Sequence, residues 1–284
     1  MNTTNLLINN KELRFLLQHQ DSKVLIFDCR FDLAKPHIGK EQYLEGHIPR
    51  AHYVDLGSDL SGPENSQLGR HPLPTPEAWA ITRSQLGISS DSKIVIYDHL
   101  ENTYSARMWW MLSATGHKNV QILDGGFQTW ASLGNPVEQG DKQPSPLRLE
   151  ASVVDYVNVI QMQDVQDNLN NPVFHIIDAR APERFRGDIE PLDPIAGHIP
   201  GAMNRLYKLN LNSDGLFKSP DELRKEWHSL NLVPELIVHQ CGSGVTACNN
   251  LFAMELAGLK GSKLYAGSWS QWCNHSNNPM ARGN

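Results

Sequence analysis

Leu236-Ile237-Val238-His239-Gln240-Cys241-Gly242-Ser243-Gly244-Val245-Thr246-Ala247 is the stretch on which the reading of this chain turns. Residues 236–238 form a short apolar run of the kind that makes a strand covered on both faces. The run leads into Cys241 and then into residues with little side-chain bulk, so backbone N–H groups can crowd around one sulfur. From Ala247 through Leu256 the pattern is helical, which places the loop at a helix N-terminus. Free N–H groups and the helix dipole both favour an anion there. A cysteine in such a place is expected to be held as the thiolate and to be a nucleophile at neutral pH.

Working outward, the chain proves to be written twice. The first half contains Phe27-Asp28-Cys29-Arg30, then Gly46-His47-Ile48-Pro49, then Ile94-Val95-Ile96-Tyr97-Asp98, then Leu123-Asp124-Gly125-Gly126-Phe127-Gln128-Thr129-Trp130. The second half contains Ile177-Asp178-Ala179-Arg180, Gly197-His198-Ile199-Pro200, the strand before Cys241, and Tyr265-Ala266-Gly267-Ser268-Trp269-Ser270-Gln271-Trp272. Landmarks that recur in one order point to duplication. The expected domains are residues 1–140 and 152–284, each of ordinary size. The join falls within 134–152, where Gly134-Asn135-Pro136, Gly140-Asp141 and Pro144-Ser145-Pro146 are turn formers. In both copies strand-like runs alternate with helical ones, among them 105–115 and 246–257, each followed by a glycine suited to a C-terminal cap (Gly116, Gly258). This predicts α/β domains, each a mainly parallel sheet flanked by helices, with the active loop at the C-terminal end of a strand.

The composition fits an ordinary globular protein: 284 residues, 40% hydrophobic and 20% charged. A formal net charge of −6 and the lack of a long basic run argue against a nucleic-acid partner. Met1-Asn2-Thr3-Thr4-Asn5 does not read as the start of a secretory signal, and no run of about 18 apolar residues predicts a membrane span. Four cysteines (Cys29, Cys241, Cys248, Cys273) do not make a disulfide framework in a chain of this length, and none has C-x-x-C spacing. A cytoplasmic setting is expected, with no metal and no cofactor.

Together these landmarks resemble the rhodanese sulfurtransferases in their two-domain form, over nearly the whole chain. The resemblance implies that the first domain lacks the catalytic cysteine and the second carries it. In the repeat alignment His99 stands where Cys241 stands, and Leu100-Glu101-Asn102-Thr103 is bulky and polar, so the first copy is expected to be inert. The loop from Cys241 to Thr246 is similar to that of the 3-mercaptopyruvate sulfurtransferases. Thiosulfate-preferring members tend to carry cationic residues just after the cysteine, which suit a dianion. Gly242 and Ser243 offer only N–H and hydroxyl donors, which suit a monoanionic carboxylate.

The chemistry implied is covalent transfer through a Cys241 persulfide, with cyanide, a thiol or thioredoxin as acceptor of the sulfur. Gly242, Ser243, Gly244, Val245 and Thr246 would cradle the persulfide by their N–H groups; one such donor is worth ~3 kcal/mol of barrier. Ser243 would steady or pass a proton. Arg184, in Glu183-Arg184-Phe185-Arg186-Gly187, matches a family arginine that holds the substrate carboxylate, while Arg186 reads as a solvated loop charge. His71, in Gly69-Arg70-His71-Pro72, matches a family histidine that reaches in from the first domain and could relay a proton. Two departures stand out. A second carboxylate-binding arginine is common before the Gly-His-Ile-Pro element, and here that position is Leu192. An acidic residue is common two places beyond Asp55, and here that place is Gly57, with Asp59 near.

Other residues read as structure. Cys29, Cys248 and Cys273 are expected to be packing. His47 and His198, and the Asp28–Arg30 and Asp178–Arg180 pairs, recur in both copies and so are expected to hold the fold. A competing phosphatase reading would want an arginine at position 247 to clamp phosphate oxygens, and the residue is Ala247. Thiosulfate transfer and a non-catalytic sulfur-relay module remain as alternatives.

Overall fold

The computed structural model describes residues 5–19, 23–99, 101–147 and 152–283. Residues 1–4, Leu100 and residues 148–151, which enter the sequence reading, lie outside these. The chain divides into two compact units, one of Met1–Gly62, Pro74–Val157 and Ser213–Leu216, the other of Pro63–Leu73, Asn158–Asn212 and Phe217–Asn284. The stretch that carries Arg70 and His71 therefore belongs with the second unit.

The first unit runs β1 (Leu7–Ile8), α1 (Asn10–Gln18), β2 (Val24–Asp28), α2 (His37–Glu45), β3 (Ala51–Tyr53), α3 (Pro76–Gln85), β4 (Lys93–Tyr97), α4 (Ser105–Ala114), β5 (Val120–Leu123) and α5 (Gly126–Ser132). Its strands pair in parallel in the order β1-β5-β4-β2-β3. The second unit runs α6 (Met162–Asn170), β6 (His175–Asp178), α7 (Pro182–Arg186), β7 (Met203–Asn204), α8 (Pro220–His228), β8 (Ile237–Gln240), α9 (Ala247–Leu256), β9 (Lys263–Leu264) and α10 (Ser268–Trp272). Its parallel order is β7-β6-β8-β9. The expected alternation of strand and helix is present, and the central strands are buried on both faces, as their unbroken apolar runs require. Among the described residues no helix is long and apolar enough to cross a membrane.

The recurring landmarks have recurring structural tasks. Asp28 accepts from Arg30 Nε and Nη2, and the same Nη2 donates to the Gly46 carbonyl at 2.6 Å. Asp178 and Arg180 repeat this onto the Gly197 carbonyl at 2.8 Å. Each buried ion pair thus ties the end of a strand to the Gly-His-Ile-Pro turn. Within that turn His47 Nδ1 meets the Tyr43 carbonyl, and His198 Nδ1 the Phe185 carbonyl, both at 2.8 Å. Ile48 and Ile199 then enter their respective cores, and Trp130 and Trp272 close them from the last helix of each unit.

Strand register corrects the repeat alignment by one residue. Asp28 pairs with Tyr97, and Asp178 with Gln240. The next residue along each strand is Asp98 in the first unit and Cys241 in the second. Hydrogen bonds beyond the strands agree: Phe127 N–H donates to the Asp98 carbonyl, and Trp269 N–H to the Cys241 carbonyl. Asp98, not His99, stands in the place of Cys241. The slip arises because residues 99–104 separate Asp98 from α4, while only residues 242–246 separate Cys241 from α9.

Candidate active site

β8 delivers Cys241 to the C-terminal edge of the sheet, and the backbone turns there through residues with no bulk. Gly244 takes a φ of +75°, and a Cβ at this position would collide with the Ala266 carbonyl. Only glycine meets both demands. Gly242, Ser243 and Val245 are buried with the cysteine, which is 2% exposed. The N–H groups of Gly242, Ser243, Val245 and Thr246 find no acceptor among the described residues. Buried backbone donors are rarely left so. Four such donors directly after Cys241, three of them on buried residues, at the N-terminus of α9 make a ready seat for an anion.

The cysteine is itself pinned. Its N–H donates to Ser268 Oγ at 3.1 Å, and that hydroxyl donates to the Tyr265 carbonyl at 2.9 Å. Ser268 holds a φ of +55°, in the left-handed region where a non-glycine residue is strained by about 1–2 kcal/mol. The corresponding residue of the first unit is Gly126, also at +55°. The second unit keeps a strained serine where its sister keeps an unstrained glycine, and the hydroxyl on Cys241 is what the serine adds.

Ser243 Oγ lies 2.9 Å from His71 Nδ1, so the two expected proton-handling residues meet. Asp59 lies in the other unit, where it accepts from the Asp55 N–H at 2.8 Å; burial raises its carboxyl above the ordinary value. Arg184 reaches the loop: a Cβ on Gly242 would stand 3.4 Å from Arg184 Nη1. Arg186 instead pairs with exposed Asp188 at 2.7 Å, a surface contact. Leu192 is 45% exposed and contributes no group to the loop.

Sequence reasoning passed over Arg70. Its Nη2 would stand 3.0 Å from a Cβ on Gly242, nearer than Arg184. Two buried carboxylates organise the pair. Glu190 accepts from Arg184 Nη2 at 2.6 Å and also from Arg180. Asp193 accepts from Arg70 Nη1 through one oxygen and from Arg184 Nη2 through the other, at 3.3 Å. Burial holds the Asp193 carboxyl above its ordinary value in spite of the arginines. The only sequence signal for Arg70 was its place beside His71, because the segment that carries it is distant in the chain from Cys241.

The remaining thiols are packing or loop support. Cys248 is buried and its Sγ donates to the Gly244 carbonyl at 3.4 Å. Cys29 lies against Met108, and Cys273 is part of the second core. Burial pushes the Cys29 thiol up, and lifts that of Cys273 to about 11, so neither is disposed to be a thiolate. Arg107, on α4, is fully buried and donates to the Leu60 carbonyl at 3.2 Å.

Residues 10–133 and 161–275 each match the model of the rhodanese-like domain. The chain belongs to the rhodanese family. It is 41% identical to a probable 3-mercaptopyruvate sulfurtransferase of Pseudomonas aeruginosa, over 98% of both chains. It is 37% identical to a putative thiosulfate sulfurtransferase of Mycobacterium tuberculosis, over 98% of this chain and 97% of the other. Among solved structures, that of 3-mercaptopyruvate sulfurtransferase from Leishmania major superposes with a TM-score of 0.86 at 27% identity, covering 98% of this chain and 77% of that one.

Proposed function

We propose that this chain is a sulfurtransferase that takes sulfur from 3-mercaptopyruvate, carries it as a persulfide on Cys241, and gives it to a thiol or to cyanide. The observation that carries the reading is the loop directly after buried Cys241, in which the N–H groups of Gly242, Ser243, Val245 and Thr246 have no acceptor among the described residues.

In the first half-reaction the Cys241 thiolate attacks the donor's sulfur. The S–S bond forms as the donor's C–S bond breaks, and the bonding pair leaves on carbon as the enolate of pyruvate. The proton from the donor's thiol is transferred to that carbon, through the Ser243–His71 pair, so pyruvate departs and the persulfide stays as an anion. The N–H groups of Gly242, Ser243, Val245 and Thr246 stabilise the charge on the outer sulfur. In the second half-reaction a thiol attacks the outer sulfur, the S–S bond breaks, and Cys241 returns as thiolate. Cyanide takes the sulfur in the same way and leaves as thiocyanate. A small redox protein of the thioredoxin kind is a fitting thiol acceptor of the sulfur. The four free cysteines accord with a reducing cytoplasm.

The choice of donor rests on pocket charge. Arg70 and Arg184 are balanced by Glu190 and Asp193, so the four groups sum to zero. A planar monocarboxylate is better matched by such a pocket than the thiosulfate dianion. Steady-state kinetics with both donors and cyanide as acceptor tests this. The expected result is a higher kcat/KM for 3-mercaptopyruvate; a clear preference for thiosulfate would overturn the donor assignment and leave the persulfide chemistry standing.

A further inference from the structure

We propose that the second unit binds one water molecule in its core, between the side-chain amide of Gln240 and the backbone N–H of Ile199. The sister unit shows what the position requires. There the residue level with Asp28 is Tyr97, which is fully buried, and its hydroxyl oxygen accepts from the Ile48 N–H at 3.1 Å. Ile48 and Ile199 are the isoleucines of the two Gly-His-Ile-Pro turns, and both are fully buried. In the second unit the residue level with Asp178 is Gln240. Its side chain is also fully buried, yet neither Oε1 nor Nε2 has a hydrogen-bond partner among the described residues. The Ile199 N–H likewise has no acceptor among them. A buried carboxamide and a buried backbone N–H are rarely left bare.

The tyrosine of the first unit reappears in the second, one strand over. One residue past the Ile96–Ile122 and His239–Leu264 pairs, the register sets Leu123 beside Tyr97 and Tyr265 beside Gln240. The Tyr265 hydroxyl is buried in the same core as Ile199 and Val238, and it too has no partner among the described residues. Gln240 follows Val238 by two positions and so shares its face of β8. A glutamine side chain is shorter than a tyrosine, so its amide stops short of the place that the Tyr97 oxygen reaches in the sister core. What fills the difference must accept from the Ile199 N–H and exchange hydrogen bonds with a carboxamide. It must also be small and uncharged, because the neighbours are Ile176, Ile199, Val238 and Trp272. Water meets each demand, and the Tyr265 hydroxyl is the third polar group in this core, which matches the usual partner count of a buried water.

Two measurements on the full chain test the site. Crystals diffracting to high resolution should show one ordered oxygen within hydrogen-bond distance of both the Ile199 nitrogen and the Gln240 side chain. Magnetic relaxation dispersion of the solvent counts long-lived internal waters in solution. It should find one fewer in the double variant Gln240→Tyr, Tyr265→Leu than in wild type. That variant installs the sister pair at nearly constant volume, and its phenol should take the Ile199 N–H as Tyr97 takes that of Ile48. Density in the wild type showing Gln240 Oε1 bonded directly to the Ile199 N–H, with no oxygen between them, would overturn the proposal whether or not the variant folds. An equal count of long-lived waters in a folded variant would overturn it as well.

Discussion

The loops after β4 and β8 occupy the same place in two copies of one fold, and they solve the same electrostatic problem in opposite ways. Both bring backbone N–H groups to the head of a helix, where an anion is wanted. In the first unit that anion is part of the chain. Asp98 Oδ1 accepts from the Asn102 N–H, and Oδ2 accepts from the N–H groups of Tyr104 and Ser105 at 2.7 and 3.0 Å. In the second unit the register-equivalent residue is Cys241, and among the described residues the N–H groups of Gly242, Ser243, Val245 and Thr246 in the loop after it have no acceptor. One loop is closed by its own carboxylate, and the other stays open for a charge that arrives with the substrate. On the proposed reading only the second can exchange its anion, and that is the physical content of proposing one copy as active and its sister as inert.

The comparison can be broken most directly at the sulfur. Cys241→Ser should abolish sulfur transfer, whereas Cys248→Ser, which keeps a donor for the Gly244 carbonyl, should keep most of it. Equal losses in the two would place the reacting thiol wrongly. Next comes Asp98→Ala. Removing the built-in anion strands three N–H donors, two of them on buried residues, and the fold should lose about 2–3 kcal/mol in denaturant unfolding. Activity per folded molecule should be retained; an unchanged midpoint would mean that Asp98 does not hold its loop.

A third contrast lies two residues before Asp98 and Cys241 in the two units, at Ile96 and His239 by the same register. Burial, helped by Arg205, lowers the His239 pKa to about 3 from 6.5. Unfolding therefore takes up a proton between those values. The stabilisation is fully present above pH 6.5 and is lost as pH falls toward about 3. His239→Ile should flatten the acid side of the Tm–pH curve, and an unaltered slope would remove His239 from that account. The smallest effect is expected at Ser268→Gly, which installs the residue that the sister copy uses at the same backbone angle. Relief of strain should leave Tm equal or higher, while loss of the hydroxyl on the Cys241 N–H should lower kcat severalfold with little change in KM. A fall in Tm with kcat intact would reverse the assignment.

What could be read from the chain beforehand was whatever is local. The Gly-His-Ile-Pro turns, the paired Asp-x-Arg elements and the small-residue loop after Cys241 each carry their instructions within a few residues, and each formed as its sequence indicates. What could not be read depended on register or on distance. The loop of the first unit is one residue longer, so an alignment anchored on Gly125-Gly126 set His99 against Cys241 and hid the role of Asp98. Arg70 was hidden for a different reason. Its segment reaches the loop through tertiary docking of Gly69 on Gly267, and no pattern within residues 236–247 encodes that. Ser268 was visible as a repeat landmark, but its backbone angle and its hold on Cys241 required coordinates.

The central claim is that the open loop holds a sulfur atom on Cys241. Peptide mass spectrometry after brief treatment of the intact chain with 3-mercaptopyruvate, without acceptor, tests it most directly. The account predicts one added sulfur on the peptide containing Cys241 and none on those containing Cys29, Cys248 or Cys273. Turnover with no sulfur on Cys241, or sulfur carried by another cysteine, would contradict it.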